Sequence, residues 1–244
     1  MDIHKPKPVH SVREFLAEIA VVVVGIALAL SGEQLIEKLH DRHKAAEARE
    51  GIHGEILHNL TALGWRAASQ PCIDQRIQDI AHLIDAGAEP GYVAPMWLGR
   101  PMIWEMVRAR WEAASQAART PLLTPDEQVG YGFIYAVFAD IAADEAHEQI
   151  AWARLRALEG LARPGADMRD TLRLTLQEAR YTNFDIKGLS RLLETNAAKL
   201  GIAGAQEASG SYANDGGICL PTATSRAEAL QRLSAASHGA ADEP

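Results

Sequence analysis

The sequence predicts an all-α protein: an N-terminal transmembrane helix continuing into a stalk, then an antiparallel helical bundle. Three observations carry this expectation. Residues Ile19 to Gly32, IAVVVVGIALALSG, form an uncharged apolar run. Downstream, apolar side chains recur at helical spacing between recognisable helix starts and stops. Composition agrees, because 48% of the 244 residues are hydrophobic but only 6% aromatic, and Ala, Leu, Glu and Arg are abundant. The formal net charge of -8, with a pI near 5.6, argues against nucleic acid as the main partner, since phosphate binding needs a cationic face.

The apolar segment extends from Phe15 to Ile36 once Glu18 and Glu33 are included. At about 1.5 Å per residue it is long enough to cross roughly 30 Å of hydrocarbon. Three readings compete: a membrane span, a cleaved signal peptide and a buried core helix. Lys5, Lys7 and Arg13 supply the basic start of a signal peptide, and Ala27-Leu28-Ala29 a cleavage site. Against cleavage, Glu14 and Glu18 crowd the start, no helix breaker precedes Ala29, and helical periodicity runs on through Leu35, Ile36 and Leu39. A core helix is disfavoured because Val21 to Val24 and Ile26 to Leu30 are apolar on every side. The anchor is therefore preferred. Glu18 falls at the hydrocarbon edge, where it either snorkels to the headgroups or lines a helix–helix interface. Gly25 and Ala29, four residues apart, form a small-xxx-small pair that allows close helix packing.

The stretch EIAVVVVGIALALSGEQLIE, Glu18 to Glu37, resembles the N-terminal anchor of a broad group of uncharacterised bacterial membrane proteins. HKPKPVHSVREF, His4 to Phe15, is similar to the start of an alphaproteobacterial subset in which a Gln-Pro-Cys motif follows, as Gln70-Pro71-Cys72 does here. The resemblance covers about the first 75 residues. It implies a single-pass inner-membrane protein with a helical extramembrane domain, and no known activity.

Charge alone leaves orientation open: Lys5, Lys7 and Arg13 lie on one side, and Lys38, Arg42, Lys44 and Arg49 on the other. Cysteine usage is a second guide. The chain has two, Cys72 and Cys219, and two cysteines in an exported chain read as a disulfide. That bridge places the bulk of the chain in the periplasm; two unpaired buried thiols are the alternative. The resulting division is a cytoplasmic tail at 1–13, a transmembrane helix at 14–36, a helical bundle at 37–200, and a tail at 201–244 tethered by the disulfide.

Within the bundle, Leu35, Leu39, Ile52, Ile56, Leu60 and Leu63 keep helical spacing along a stalk. Pro71 suits the first turn of a separate helix whose apolar face is Ile73, Ile77, Ile80, Leu83 and Ile84. Gly87 to Pro101 reads as a loop, and Met102 to Ala118 as a helix. Thr124-Pro125-Asp126-Glu127 starts a long helix to about Leu161. Arg163-Pro164-Gly165 breaks it, and Asp167 is expected to cap a last helix ending near Leu200 before Gly201.

Chemical signals are sparse. Glu50/His53 and Asp144/His147 each place a carboxylate and an imidazole three residues apart, as di-iron bundles do, with Glu105 and Glu178 as further ligands. Their polar neighbours Glu47, Glu55, Glu145 and Glu148 instead suggest solvated helix faces, so no metal or other cofactor is assigned. His40 and His43 with Glu37 read the same way. No G-x-S-x-G, H-E-x-x-H or phosphate loop occurs. Trp104, Trp111, Tyr131, Phe133, Tyr135, Phe138 and Trp152 read as core, with Trp104, Arg108 and Trp111 the residues suited to a partner or ligand contact. The expectation is a membrane-anchored binding or assembly module, as scaffold or accessory subunit, partnered by the bilayer and by copies of itself or a larger membrane complex. A metal-dependent bundle enzyme or a periplasmic ligand sensor is the alternative.

Overall fold

The computed structural model describes residues 12–202, 217–225, 227–231 and 234. Most of the predicted tail 1–13, with Lys5 and Lys7, and residues 203–216 of the C-terminal tail lie outside the described residues.

One helix, α1 (Val12–Ala86, 75 residues), carries both the apolar segment and the first leg of the bundle. Its most apolar 18-residue window has a mean hydropathy of 2.3, and none of it is buried. Among the described residues this helix alone is long and apolar enough to cross a membrane. Burial begins at Ala45 and continues through Ala48, Ile52 and Ile56. The apolar segment therefore stands clear of the protein's own core.

The separate helix expected from Pro71 does not exist, because α1 runs through that residue. An interior proline removes one backbone hydrogen bond, to the carbonyl four residues back, here Ala67. Ala67 and Pro71 both lie on the solvent side, where water can serve that carbonyl. Leu63, Ile73 and Ile77 are buried on the other side and hold the two halves in line.

The return leg departs further from expectation. Only Ala109–Gln116 is helical (α2), not Met102 to Ala118. Asn59 of α1 explains the late start: its Nδ2 donates to Val107 O at 2.8 Å, and Val107 N donates to its Oδ1 at 3.0 Å. A side chain thus occupies both backbone groups that a helix would need. The connection from 87 to 124 is also longer than the short links expected of a bundle.

The third leg, α3 (Pro125–Leu155), begins as expected with a capping box between Thr124 and Glu127, and ends earlier, in a 3₁₀ turn at Arg156–Leu158. The last, α4 (Ala166–Lys199), is N-capped by Gly165 without a side-chain bond. Asp167 lies inside the first turn and is not the cap, although its charge still suits the positive helix end.

Cross-helix pairs fix the directions. Arg49 meets Glu127, His53 meets Tyr131, Glu55 meets Tyr135 and Arg66 meets Glu148, so α1 and α3 run parallel. Arg66 and Asp74 meet Asn183, and Asp85 meets Arg173, so α4 runs antiparallel to both. The leg through α2 descends α1, from the Trp65–Trp104 ring pair to the contact of Glu55 with Arg110. Successive legs alternate, which is the predicted antiparallel bundle with one leg only partly helical.

The core is two large apolar clusters, with a small third of Trp97, Ala223 and Ala229. The nearer to the span gathers Ile52, Ile56, Tyr131, Phe138, Ile186 and Leu193. The farther gathers Ile73, Ile80, Trp152, Leu155, Leu172 and Ile218. Ile218 belongs to a strap that lies against the loop at 96–100 through bridges from Trp97 to Ala223 and Arg100 to Gly217. Gly217 has φ +69°, and a Cβ there would stand 2.4 Å from the Trp97 ring. Only glycine fits.

Candidate functional site

A buried polar layer separates the two clusters. Arg66 of α1, Glu145 and Glu148 of α3, and Thr182 and Asn183 of α4 are all buried. Arg66 Nη2 donates to Glu148 Oε1 at 2.7 Å and to Asn183 Oδ1 at 3.2 Å. Gln70 Nε2 donates to Asp74 Oδ1 at 2.7 Å and to Asn183 Oδ1 at 3.2 Å. Arg66 Nη1, Glu145 Oε1 and Glu148 Oε2 find no partner in the protein. Each such buried polar atom costs about 1–3 kcal/mol when left unpaired. Burial, reinforced by Glu148, pushes the Glu145 carboxyl up to about 7, against the opposing pull of Arg66 and the Trp104 backbone. An acid that titrates near neutrality inside a protein marks a place where structure has been arranged around a charge.

A second polar node ties α1 to α2 and α3. The buried Glu55 carboxylate accepts from Arg110 N at 2.7 Å, Trp111 N at 3.2 Å and Tyr135 Oη at 2.6 Å. It supplies, from a neighbouring helix, the anion that the N-terminus of α2 favours. Burial and bonding to that carboxylate push the Tyr135 phenol well above its ordinary value.

The structure brings Cys72 and Cys219 to disulfide distance, with Cα atoms 4.9 Å apart across 147 positions. The bond is not the sole tether of the tail, because Ile218 is buried beside it and Arg76 donates to the carbonyls of Ile218 and Leu220. Comparison with known protein families, with curated proteins and with solved structures returned no match. The arrangement of side chains is therefore the guide to what the bundle does.

Glu18, Gly25 and Ala29 lie on the exposed span, where a Cβ at Gly25 would meet nothing within 4 Å. Trp111 stacks on Tyr135 at 5.1 Å, and Trp104 packs on Trp65 at 4.6 Å. Arg108 is exposed and pairs with Glu112 at 3.8 Å. The Trp111 indole is thus engaged with a core aromatic and the Trp104 indole with the half-buried Trp65. The arginine between them points to solvent.

The two candidate metal pairs do not converge. His53 Nε2 lies 2.6 Å from Tyr131 Oη, at the level of residue 131 along α3, and Glu50 is exposed. Residue 147 is 16 positions further along that helix, about 24 Å at 1.5 Å per residue. Burial and the nearby Arg49 lower the His53 pKa, which keeps the imidazole neutral. Asp144 and His147 line a shallow groove on the outer face with Glu178, and Glu105 is exposed. Among the described residues no three His, Cys, Asp or Glu side chains come together as a metal site.

Sequence reading assigned Glu55, Glu145 and Glu148 to solvated faces, and the structure corrects that. Phe138, Ile141, Glu145, Glu148, Trp152 and Leu155 are all buried at alternating three- and four-residue steps. Ile52, Ile56, Asn59, Leu63 and Arg66 do the same on α1, with Glu55 buried beside Ile56. The charged residues sit in phase with the apolar stripe, and that phase was the available signal.

Proposed function

We propose that this chain is a single-pass membrane protein whose helical bundle stands outside the bilayer, in the periplasm of a bacterial inner membrane, as a binding and assembly module. The observation that carries the reading is the continuity of α1: an apolar stretch with no internal contacts passes without a break into a helix that forms one wall of the core. A cleaved leader has no need to share a helix with the folded domain. The disulfide supports an oxidising compartment, and the resemblance of the anchor to that of uncharacterised bacterial membrane proteins fits the same topology.

Assembly is favoured over catalysis by what the two helices of the outer face leave uncovered. Val129, Phe133 and Ile150 on α3, with Leu174, Tyr181 and Leu192 on α4, are exposed large apolar side chains. Asp140, Asp144 and Asp185 share that face, and burial together with the other two acids raises the Asp144 pKa. Like charges at its centre oppose pairing with an identical face and suit an accessory role beside a basic partner. Association of identical chains is then the task of the span, through Gly25 and Ala29 with Glu18 at its edge.

Four measurements on material from native membranes test the reading, the last being the oligomeric state and copurifying subunits in mild detergent. Carbonate washing should leave the protein in the membrane, N-terminal sequencing should show an uncleaved start, and unfolding without reductant should expose no maleimide-reactive thiol. A mature chain beginning at Leu30 would overturn the anchor. Two free thiols would overturn the periplasmic placement. A strictly monomeric chain with no copurifying subunit in mild detergent would overturn assembly.

A further inference from the structure

The outer faces of α3 and α4 share a regular spacing. On α3, Val129, Phe133, Ala136, Asp140, Ala143 and His147 are all exposed and follow one another at alternating steps of four and three. On α4, Leu174, Glu178, Tyr181, Asp185, Gly188 and Leu192 repeat the alternation, and only Asp185 is half-buried. Steps of four and three keep one helix face turned toward a neighbour along its whole length. The two stripes flank a groove, about 360 Å³ where Asp144, Ile150 and Tyr181 line it. The side-chain ridge of a third helix fits a groove of this kind.

The groove is apolar toward its ends and acidic at its centre. Val129, Phe133 and Leu192 are exposed at one end, and Ile150, Leu174 and Tyr181 at the other. Between them, burial and the charges of Asp185 and Asp140 raise the Asp144 pKa, so the three carboxylates feel one another. Among the described residues none of these aspartates takes part in an ion pair. The other two charges on the stripes, Arg154 and Glu178, pair with each other at 3.3 Å, which leaves a net charge of -3 with His147 set aside. The remaining cations of this part of α4 do not offset it. Arg173 turns to Asp85, and Arg180, Lys187 and Arg191 line clefts on the side facing α1.

We infer that this groove seats one helix of a partner subunit, apolar at both ends of its contact stripe and carrying lysine or arginine in its middle turns. From residue 129 to residue 150 the stripe runs about 32 Å at 1.5 Å per residue, which sets the seated helix at about 20 residues. Ala136, Ala143 and Gly188 leave room beside the aspartates for long cationic side chains, and a Cβ at Gly188 would meet nothing within 4 Å. A second copy of this chain would instead set aspartates against aspartates. The inference rests on the assembly reading above and specifies the partner's surface.

The test is photo-crosslinking of the full-length chain in its native membranes. Ala143→p-benzoylphenylalanine places the probe in the groove, and Gln75→p-benzoylphenylalanine, on the exposed side of α1, is the control. A light-dependent adduct is expected at 143 and not at 75. Mass spectrometry of the joined peptide should find at least two lysines or arginines within about two turns of the cross-link, flanked by apolar residues at steps of three and four. Asp140→Asn/Asp144→Asn/Asp185→Asn, which removes charge from exposed or half-buried positions, should cut the adduct yield about fivefold or more. An adduct between two copies, an adduct to a segment without basic residues, or a yield unchanged in the triple variant would each overturn the inference. No adduct at 143 while another subunit still copurifies would overturn it and leave the assembly reading standing. No adduct together with a strictly monomeric chain would overturn both.

Discussion

Replacing Glu145 by glutamine should make the bundle more stable above neutral pH. Its carboxyl is pushed from 4.5 to about 7 on folding, chiefly by burial. A raised acid pKa means that the native state holds a proton which the unfolded chain releases. Stability from this group therefore falls as pH rises from about 4.5 to about 7, and stays low above it. At about 1.4 kcal/mol per tenfold change in proton affinity, ionised Glu145 opposes folding at pH 8 by about 3 kcal/mol. Glutamine has nearly the same shape, carries no charge, and keeps an oxygen for the Trp104 backbone. The assay is urea unfolding of the full-length protein in detergent, followed by tryptophan fluorescence, for both proteins at about pH 5 and pH 8. The stability difference between variant and parent should shift in the variant's favour by about 2–3 kcal/mol between the two conditions. A difference independent of pH would show that Glu145 is already ionised below neutrality and that the polar layer is wet.

Glu55→Ala should be strongly destabilising, by about 3 kcal/mol or more, because it strands the amides of Arg110 and Trp111 and the Tyr135 hydroxyl together. Faster tryptic cleavage after Arg108 and Arg110 would report the loss of α2, and unaltered cleavage would contradict its capping role. Gly217→Ala should loosen the strap by about 1–3 kcal/mol through its positive φ and the Trp97 ring. Hydrogen exchange at the Ala223 amide is the readout, and native-like protection there would refute the close packing. Cys72→Ser removes a cross-link spanning 147 positions and should lower stability by up to about 5 kcal/mol on chain-entropy grounds. A loss below about 1 kcal/mol would mean that Ile218 and Arg76 hold the strap unaided.

The architecture was legible where local chemistry decided it. The apolar run, the Thr124 capping box and the apolar spacing of α1 each left a mark that folding did not overrule. Legibility failed where a distant side chain outweighed a local preference. Pro71 reads as a helix start, yet the packing of Ile73 and Ile77 carries α1 through it. Residues 102–108 read as helix, yet Asn59 takes both backbone groups of Val107 among them. The polar layer was missed for a related reason. Glu145 and Glu148 look solvated by composition, and only their phase with Ile141 and Trp152 betrays burial. Arg66 meets Glu148 from 82 positions away, a pairing that no window of sequence contains.

An unbroken rod transmits torque. Because α1 is helical from the span to the far cluster, turning it by one residue's step in the bilayer, about 100°, would swing Arg66 away from Glu148 by the same angle. If the apolar segment spans a bilayer as proposed, its azimuth there and the azimuth demanded by the polar layer are a single variable. Any neighbour that held the segment at another angle would have to unwind α1 between it and Ala45, where burial begins.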